Sequence, residues 1–144
     1  MTWPTPQPGL VIRYSYLWAR EAQAGREDGV KDRPCAVVLA IGAAQERTRV
    51  IVLPITHTAP QPPDEGVEVP SAVKTRLRLD HERSWIIVSE GNDFIWPGPD
   101  LRPLAGQGLG SVAYGFLPPR LFRTVQERFL ARVRAKQAGV ASRT

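Results

Sequence analysis

The chain has 144 residues, of which 42% are hydrophobic and 23% charged, a composition that excludes wholesale disorder and suffices for one domain, residues 1–144, with its own core. The formal net charge is +5, which suits phosphate backbones or anionic lipids but is equally compatible with an inert basic surface. The single cysteine, Cys35, excludes an internal disulfide, and since we find neither a signal-peptide pattern nor an apolar run of membrane-spanning length, we expect a soluble cytoplasmic protein.

The first part of the chain is predicted to form short strands separated by loops. The 14 prolines, roughly double the usual share, disfavour long helices and central strands. An extended arm is expected over residues 1–8, and a long polar loop over 19–33, of a length typical of functional loops. The predicted strands, rich in β-branched, aromatic or continuous apolar residues, are 9–18, 34–41, 47–56, 67–69, 85–90 and 111–117.

Two helices are predicted, the second near the C-terminal end. Residues 71–79 fit about two turns of helix, with Ser71 as the N-cap. Pro118 and Pro119 open the only long helix, because proline is favoured in a first turn. Its apolar stripe at helical spacing is Leu121, Val125, Phe129 and Val133. Residues 138–144 are expected to be a flexible tail. This order indicates a mainly-β fold with a small α component, a small, partly open antiparallel barrel closed by the helix.

Three polar residues are predicted to lie at strand ends. Arg33 precedes the second strand, Thr56 ends the third, and Glu90 ends the strand over 85–90. If the second and third strands form a hairpin, Arg33 and Thr56 lie at the same edge of the sheet. The arginine fork matches two phosphate oxygens, so a hydroxyl beside it predicts a phosphate-binding site. Glycine-rich nucleotide loops, Cys/His metal spacings and a nucleophile elbow are absent from the sequence, so no metal site is expected.

The segments that carry these residues resemble the MazF/PemK/Kid toxins. The segments are Gly9-Leu-Val-Ile, then Lys31-Asp-Arg-Pro-Cys-Ala-Val-Val-Leu after the polar loop, and Val50-Ile-Val-Leu-Pro-Ile-Thr. Farther along, the strand over 85–90 and the final helix resemble the family's later core strand and closing helix. An Arg-Pro pair before one strand combined with Pro-Ile-Thr at the end of the next is a fairly specific signature.

The resemblance implies an SH3-like barrel that forms a homodimer. It also implies a type II toxin, a metal-independent and cofactor-free endoribonuclease that cuts single-stranded RNA at short sequences and is neutralised by a cognate antitoxin protein. The family's functional positions fall on Arg33, Thr56 and Glu90. The chain departs from the family after Glu90, where Gly91-Asn-Asp-Phe-Ile-Trp replaces an Arg-Thr-containing segment, and at Val88, where some members carry a basic residue.

We expect Arg33 to stabilise charge on the phosphate, and Thr56 to hydrogen-bond a non-bridging oxygen. The general base is Glu90 or His57, the latter because an imidazole titrates near neutrality. Glu90 has an alternative role as the partner that holds Arg33. The loop over 19–32 is expected to close over the strands. The expected RNA-binding residues are Arg20, Arg26 and Lys31 on that loop and Thr58 after the third strand.

Two other classes of protein stay open. One is a non-catalytic barrel that binds RNA or a peptide, such as a decayed toxin, and the altered segment after Glu90 keeps this alternative alive. The other is a structural interaction protein whose charge is incidental. The pairing of Arg33 with Thr56 favours the enzyme over both. Trp85 is expected in the core, whereas Trp96 is left open between the core and a base-stacking surface.

Overall fold

The fold is described from a computed structural model that covers residues 3–27, 29, 31–42, 47–104 and 111–143. The strands are β1 (Leu10–Tyr14), β2 (Arg33–Gly42), β3 (Thr48–Thr56), β4 (Gly66–Glu68), β5 (Trp85–Ile87), β6 (Glu90–Trp96), β7 (Ala113–Phe116) and β8 (Gly139–Ser142). The helices are α1 (Ala19–Gln23), α2 (Ser71–Arg76) and α3 (Pro119–Arg134), and a 3-10 turn spans Pro63–Glu65. The predicted mainly-β class with a small α component is therefore confirmed.

The strands form one sheet in the order β4-β5-β3-β2-β1-β7. Strand β3 also pairs with β6 along its first half, and it passes to β5 only at Ile55 and Thr56. Strand β8 joins β6 in parallel, whereas the other pairings are antiparallel. In the described part of the chain β4 and β7 end this path without pairing with each other, so the sheet is not closed.

Strand alternation divides the buried side chains between two faces of the sheet. The aromatic core lies on one face and includes Tyr14, Tyr16, Trp18, Cys35, Val37, Val50, Val52, Phe94 and Trp96. The helix core lies on the other and includes Ala36, Val38, Leu53, Ile55, Val73, Leu77, Val88, Val125 and Phe129. Trp96 is 7% exposed and belongs to the aromatic core, so it offers no free surface for base stacking.

Several predicted boundaries differ from the structure. The strand expected over 85–90 is interrupted after Ile87, because β5 and β6 pair with different parts of β3. The loop expected over 19–33 contains the short helix α1. Ser71 is the first residue of α2 rather than its cap, which is Pro70 without a side-chain hydrogen bond. The turn at 43–46 and the loop residues 105–110 lie outside the described residues.

The expected flexible tail is the largest error in the prediction. Residues Gly139–Ser142 form β8, which aligns Gly139 with Glu90 and Ser142 with Asp93. No alternating apolar pattern marks this strand in the sequence, since its pairing uses backbone groups and its side chains are mostly exposed. The described part of the chain contains no helix that is both long and apolar enough to cross a membrane.

Candidate functional site

Strand alternation places Arg33, Thr56 and Glu90 on the same face of the sheet. Each residue continues the set of side chains that its strand contributes to the aromatic core. Those side chains are Cys35 and Val37 from β2, Val50 and Val52 from β3, and Phe94 and Trp96 from β6. Because side chains alternate with a period of two, positions 33, 56 and 90 lie on this face where the hydrophobic pattern gives way to polar residues.

Register brings the same three residues to one end of the sheet. Cys35 pairs with Pro54 in the β2–β3 hairpin, so Arg33 and Thr56 both lie two residues beyond this pair. Asn92 pairs with Val52, which puts Glu90, the first residue of β6, toward the Thr56 end of β3. The hairpin and the shared edge predicted from the sequence are thus present.

A cleft of about 480 Å³ opens at this end, and we call it the Trp18 cleft. Its lining residues include Trp18, Arg20, Thr56, Thr58 and Glu90. Four of the eight residues singled out from the sequence therefore share one concave surface. A cleft that combines a hydroxyl, a carboxylate and a cation offers the groups that phosphate chemistry requires.

Arg33 does not line the Trp18 cleft itself but packs against the indole of Trp18, and it lines a neighbouring cleft. Its Cζ atom lies 4.9 Å from the centroid of the indole, and Cζ of Arg20 lies 5.0 Å from it. These are cation–π distances, at which the ring attracts a guanidinium without neutralising it. The Nε atom of Arg33 is buried and has no hydrogen-bond partner among the described residues. A buried, unsatisfied donor is costly to the folded state.

The Thr56 hydroxyl is oriented by the backbone that follows it. The amide of Thr58 donates a hydrogen bond of 3.2 Å to Thr56 Oγ1. A hydroxyl that accepts such a bond still has its own proton to donate. Thr56 is thereby prepared to donate to an oxygen bound in the Trp18 cleft.

The carboxylate of Glu90 is held by the segment after β1 rather than by Arg33. Its Oε1 atom accepts hydrogen bonds of 2.9 Å from the Tyr16 hydroxyl and from the Ala19 amide. Burial, followed by the negative charge of Glu90, raises the pKa of Tyr16 well above its usual value, so Tyr16 remains a donor. The expectation that Glu90 holds Arg33 is wrong, because the two residues form no ion pair among the described residues and the bonds to Glu90 come from Tyr16 and Ala19.

His57 lies on the opposite face, where it continues the pattern of Leu53 and Ile55 in the helix core. Its Nε2 atom is 2.6 Å from Asp80 Oδ2, and its Nδ1 atom is 3.6 Å from Glu82 Oε2. His57 therefore does not line the Trp18 cleft, and the structure does not bring it together with Thr56 and Glu90. The one-residue step from Thr56 to His57 is the physical reason, because it reverses the face.

A second, smaller cleft of about 230 Å³ lies beside His57 and is lined also by Lys31, Arg33 and Lys74. Lys74 is 4% exposed, and its ammonium donates to Asp80 Oδ1 at 2.5 Å, to Ser84 Oγ at 2.6 Å and to the Glu82 carbonyl. This network was not predicted from the sequence. Lys74 directly follows Val73 in α2, and the alternation that assigns strand residues to a face does not apply to a helix.

The hydrogen bonds around Asp80 favour its charged form. Burial alone would raise the pKa of Asp80, but hydrogen bonds from Lys74, the Glu82 amide and His57 outweigh it and lower the pKa. The donor atoms of His57, Asp80 and Glu82 lie within 4.8 Å of one another, a grouping that could hold a metal ion. The Lys74 ammonium on Asp80 opposes a cation there, because it already compensates that carboxylate.

The remaining loop candidates lie elsewhere. Arg26 and Lys31 line a third cleft, of about 940 Å³. Asp32 in this cleft pairs with Arg13 at 3.7 Å and with Arg102 at 3.5 Å, and not with Arg33. Of the predicted loop residues, only Arg20 shares the Trp18 cleft, because α1 turns the chain there immediately after Trp18.

Comparison of the chain with protein-family models, with curated proteins and with solved structures finds no match.

Proposed function

We propose that this chain is a cytoplasmic, metal-independent endoribonuclease that cuts single-stranded RNA at short sequences, as the toxin of a type II toxin–antitoxin system. The observation that carries the proposal is that Arg33, Thr56 and Glu90 lie on one face and at one end of the sheet. Thr56 and Glu90 line the Trp18 cleft, and Arg33 packs against the indole of Trp18. The basic net charge supports an anionic polymer as the substrate.

The proposed chemistry uses the nucleophile that RNA itself carries. Glu90, held through Oε1, takes the proton of the 2′-hydroxyl with Oε2, and the 2′-oxygen attacks the adjacent phosphorus. The Arg33 guanidinium stabilises the negative charge that develops on the phosphorane, and the Thr56 hydroxyl donates to a non-bridging oxygen. The bond to the 5′-oxygen breaks, and that oxygen takes a proton from solvent water. The proton held on Glu90 then neutralises the hydroxide, which returns Glu90 to its charged form.

The expected products are a 2′,3′-cyclic phosphate and a 5′-hydroxyl. DNA lacks the 2′-hydroxyl, so it is at most bound and is never cut. Arg20 lies against the same indole as Arg33, so we assign it to a neighbouring phosphate of the substrate. Thr58 is assigned to contact the RNA, because it lies at the cleft and its amide fixes Thr56.

The test is cleavage of a mixed RNA by purified protein, with and without EDTA, and with a matched DNA. Arg33→Ala removes a preorganised charge-stabilising donor, which typically lowers the rate by ~100- to 1,000-fold. Thr56→Ala should slow cleavage by a smaller factor. Arg134→Ala, an exposed change on α3, is the matched control and should cleave at the wild-type rate. Equal rates for Arg33→Ala and Arg134→Ala, or loss of activity with EDTA, would contradict the mechanism.

A second candidate function is RNA or peptide binding without cleavage. The observation that favours it is the use of Glu90 Oε1 as a structural acceptor for Tyr16 and Ala19, which is a sufficient reason for a carboxylate at this position. The two functions separate in one assay. A non-catalytic module shifts labelled RNA in an anisotropy titration while leaving its length unchanged on a denaturing gel.

Two partners complete the proposal. The resemblance implies a homodimer, and the exposed apolar side chains of Ile41, Ile95 and Phe116 supply surface that dimers commonly bury. It also implies an acidic antitoxin segment that folds on binding, which the basic charge of the chain would attract. A concentration-independent monomer in sedimentation equilibrium would contradict the dimer, and growth inhibition unaffected by the product of the adjacent reading frame would contradict the antitoxin.

A further inference from the structure

Residues 15–18 are buried although they belong to no helix or strand. Backbone groups in such a segment need hydrogen-bond partners from elsewhere in the molecule. The Ser15 amide donates to the Asp100 carbonyl at 2.9 Å. The Leu17 amide donates to Asn92 Oδ1 at 2.9 Å, and Asn92 Nδ2 donates back to the Leu17 carbonyl at 2.8 Å.

A further partner of this segment is Arg143, the residue that follows β8. Its NH1 group donates to the Ser15 carbonyl at 2.9 Å and to Asn92 Oδ1 at 3.0 Å. Its NH2 group lies 3.1 Å from Asp100 Oδ2, an ion pair without hydrogen-bond geometry. The Arg143 side chain is 3% exposed, so the surrounding residues fix its position.

The same segment holds the carboxylate of the Trp18 cleft. Tyr16 lies between the two anchored residues Ser15 and Leu17, and its hydroxyl donates to Glu90 Oε1. The segment ends at Ala19, whose amide donates to the same oxygen. Strand β8 approaches from the other side, because Gly139 pairs with Glu90 in the parallel β6–β8 ladder.

We propose that Arg143 is a positioning residue for Glu90. It ties the Ser15 carbonyl and Asn92 together and thereby fixes the path of residues 15–19, which sets the direction in which the Glu90 carboxylate faces. The catalytic consequence rests on the proposed function, whereas the structural consequence, the geometry around Glu90, does not. Arg143 touches no substrate and acts only through Ser15, Asn92 and the Tyr16–Ala19 segment.

The test needs a variant that does not leave an uncompensated buried charge. Arg143→Ala alone would strand Asp100, whose side chain is 11% exposed, and the chain could fail to fold for that reason. The informative variant is therefore Arg143→Ala in an Asp100→Asn background, compared with Asp100→Asn alone. Arg143→Lys is the second variant, since a lysine keeps the charge but has one nitrogen in place of the two that face Ser15 with Asn92 (NH1) and Asp100 (NH2).

The first readouts are independent of activity. They are amide hydrogen exchange at Ala19 and the NMR chemical shift of the Glu90 carboxyl carbon, recorded on protein that a thermal melt shows to be folded. We expect Ala19 to exchange on the order of 10-fold faster in the double variant than in Asp100→Asn, because its hydrogen bond opens more often. The chemical shift of the Glu90 carboxyl carbon should change with it, and Arg143→Lys should lie between the two. Arg134→Ala should match the wild type.

The third readout is RNA cleavage. A misplaced carboxylate should lower kcat by roughly 100-fold with a much smaller change in KM, since the phosphate-binding groups stay in place. If Ala19 exchange and the chemical shift of the Glu90 carboxyl carbon match their backgrounds in both Arg143 variants, the proposal is wrong whatever the enzyme does. If they change as expected while even the wild type leaves RNA uncut, the positioning role stands and the proposed function fails.

Discussion

The buried ammonium of Lys74 gives a sharp prediction about stability. Lys74→Met keeps the apolar stem in the helix core but removes a charge with three acceptors. Removing one partner of a buried ion pair typically costs about 3–5 kcal/mol. The Asp80 side chain is 48% exposed, so water can replace the ammonium on one side. We therefore expect the lower end of this range, about 3 kcal/mol, equivalent to a fall in Tm of roughly 10 °C.

The assay is urea unfolding followed by tryptophan fluorescence, with thermal melts in parallel. The matched control is Arg83→Met, which removes a cation that pairs with Glu68 on the exposed surface and should change the free energy of unfolding little. The double variant Lys74→Met with Asp80→Asn should be less destabilised than the two single changes added together. If Lys74→Met costs no more than Arg83→Met, the assignment of Lys74 as a buried anchor is wrong.

Lowering the pH should reduce the difference in free energy of unfolding between the wild type and Lys74→Met. The pKa of Asp80 is lowered in the folded state, because the hydrogen bonds from Lys74, Glu82 and His57 exceed the effect of burial. A carboxyl with a lowered folded-state pKa contributes stability above its unfolded pKa of about 3.9 and loses it as the pH falls through the folded value. The gap between wild type and Lys74→Met should therefore be widest near neutral pH and shrink below about pH 4.

Two further predictions concern the aromatic core and the loop beside it. Burial raises the pKa of the Cys35 thiol far above its usual value. Iodoacetamide at mildly alkaline pH should therefore label Cys35 only after denaturation. Labelling of the native protein would contradict this prediction and would show that the aromatic core opens. A Cβ atom on Gly29 would lie 2.2 Å from the Tyr16 carbonyl oxygen, so Gly29→Ala should destabilise the chain by about 1–3 kcal/mol. Gly139→Ala, where a Cβ atom meets nothing within 4 Å, is the control, and equal urea midpoints for the two variants would refute the clash.

Local patterns in the sequence predicted the half of the site that lies on one hairpin. Alternation of apolar and polar residues assigned β2 and β3, and their antiparallel register places Arg33 near Thr56. The same alternation, followed one residue further, excludes His57 from that face. A histidine chosen for its pKa alone was therefore a poor candidate, whereas strand parity was a reliable guide.

The other half of the site depends on contacts that no local pattern encodes. Glu90 is held by groups 71 and 74 residues away in the sequence. Strand β8 has mostly exposed side chains and forms through backbone pairing with β6, so no alternation of apolar and polar residues predicts it. The burial of Lys74 could not be predicted either. A lysine is expected in solvent, and here it is buried because three acceptors beyond the end of α2 surround its ammonium.

The way β1 is placed in the sheet has a consequence for how quickly the molecule reaches its native state. Strand β1 lies between β2, its sequence neighbour, and β7, which begins about a hundred positions later along the chain. Closing so large a loop costs entropy before any pairing offsets it, so we expect the β1–β2–β3 meander to form early and the β1–β7 and β6–β8 ladders to form late. The surroundings of Arg33 and Thr56 would then mature before those of Glu90. Pulse-labelling hydrogen exchange during refolding should show this delay as slower protection of the Ala19 amide than of the Val37 amide. A chain that has folded only this far would have Arg33 and Thr56 in place but would lack the positioned carboxylate of Glu90.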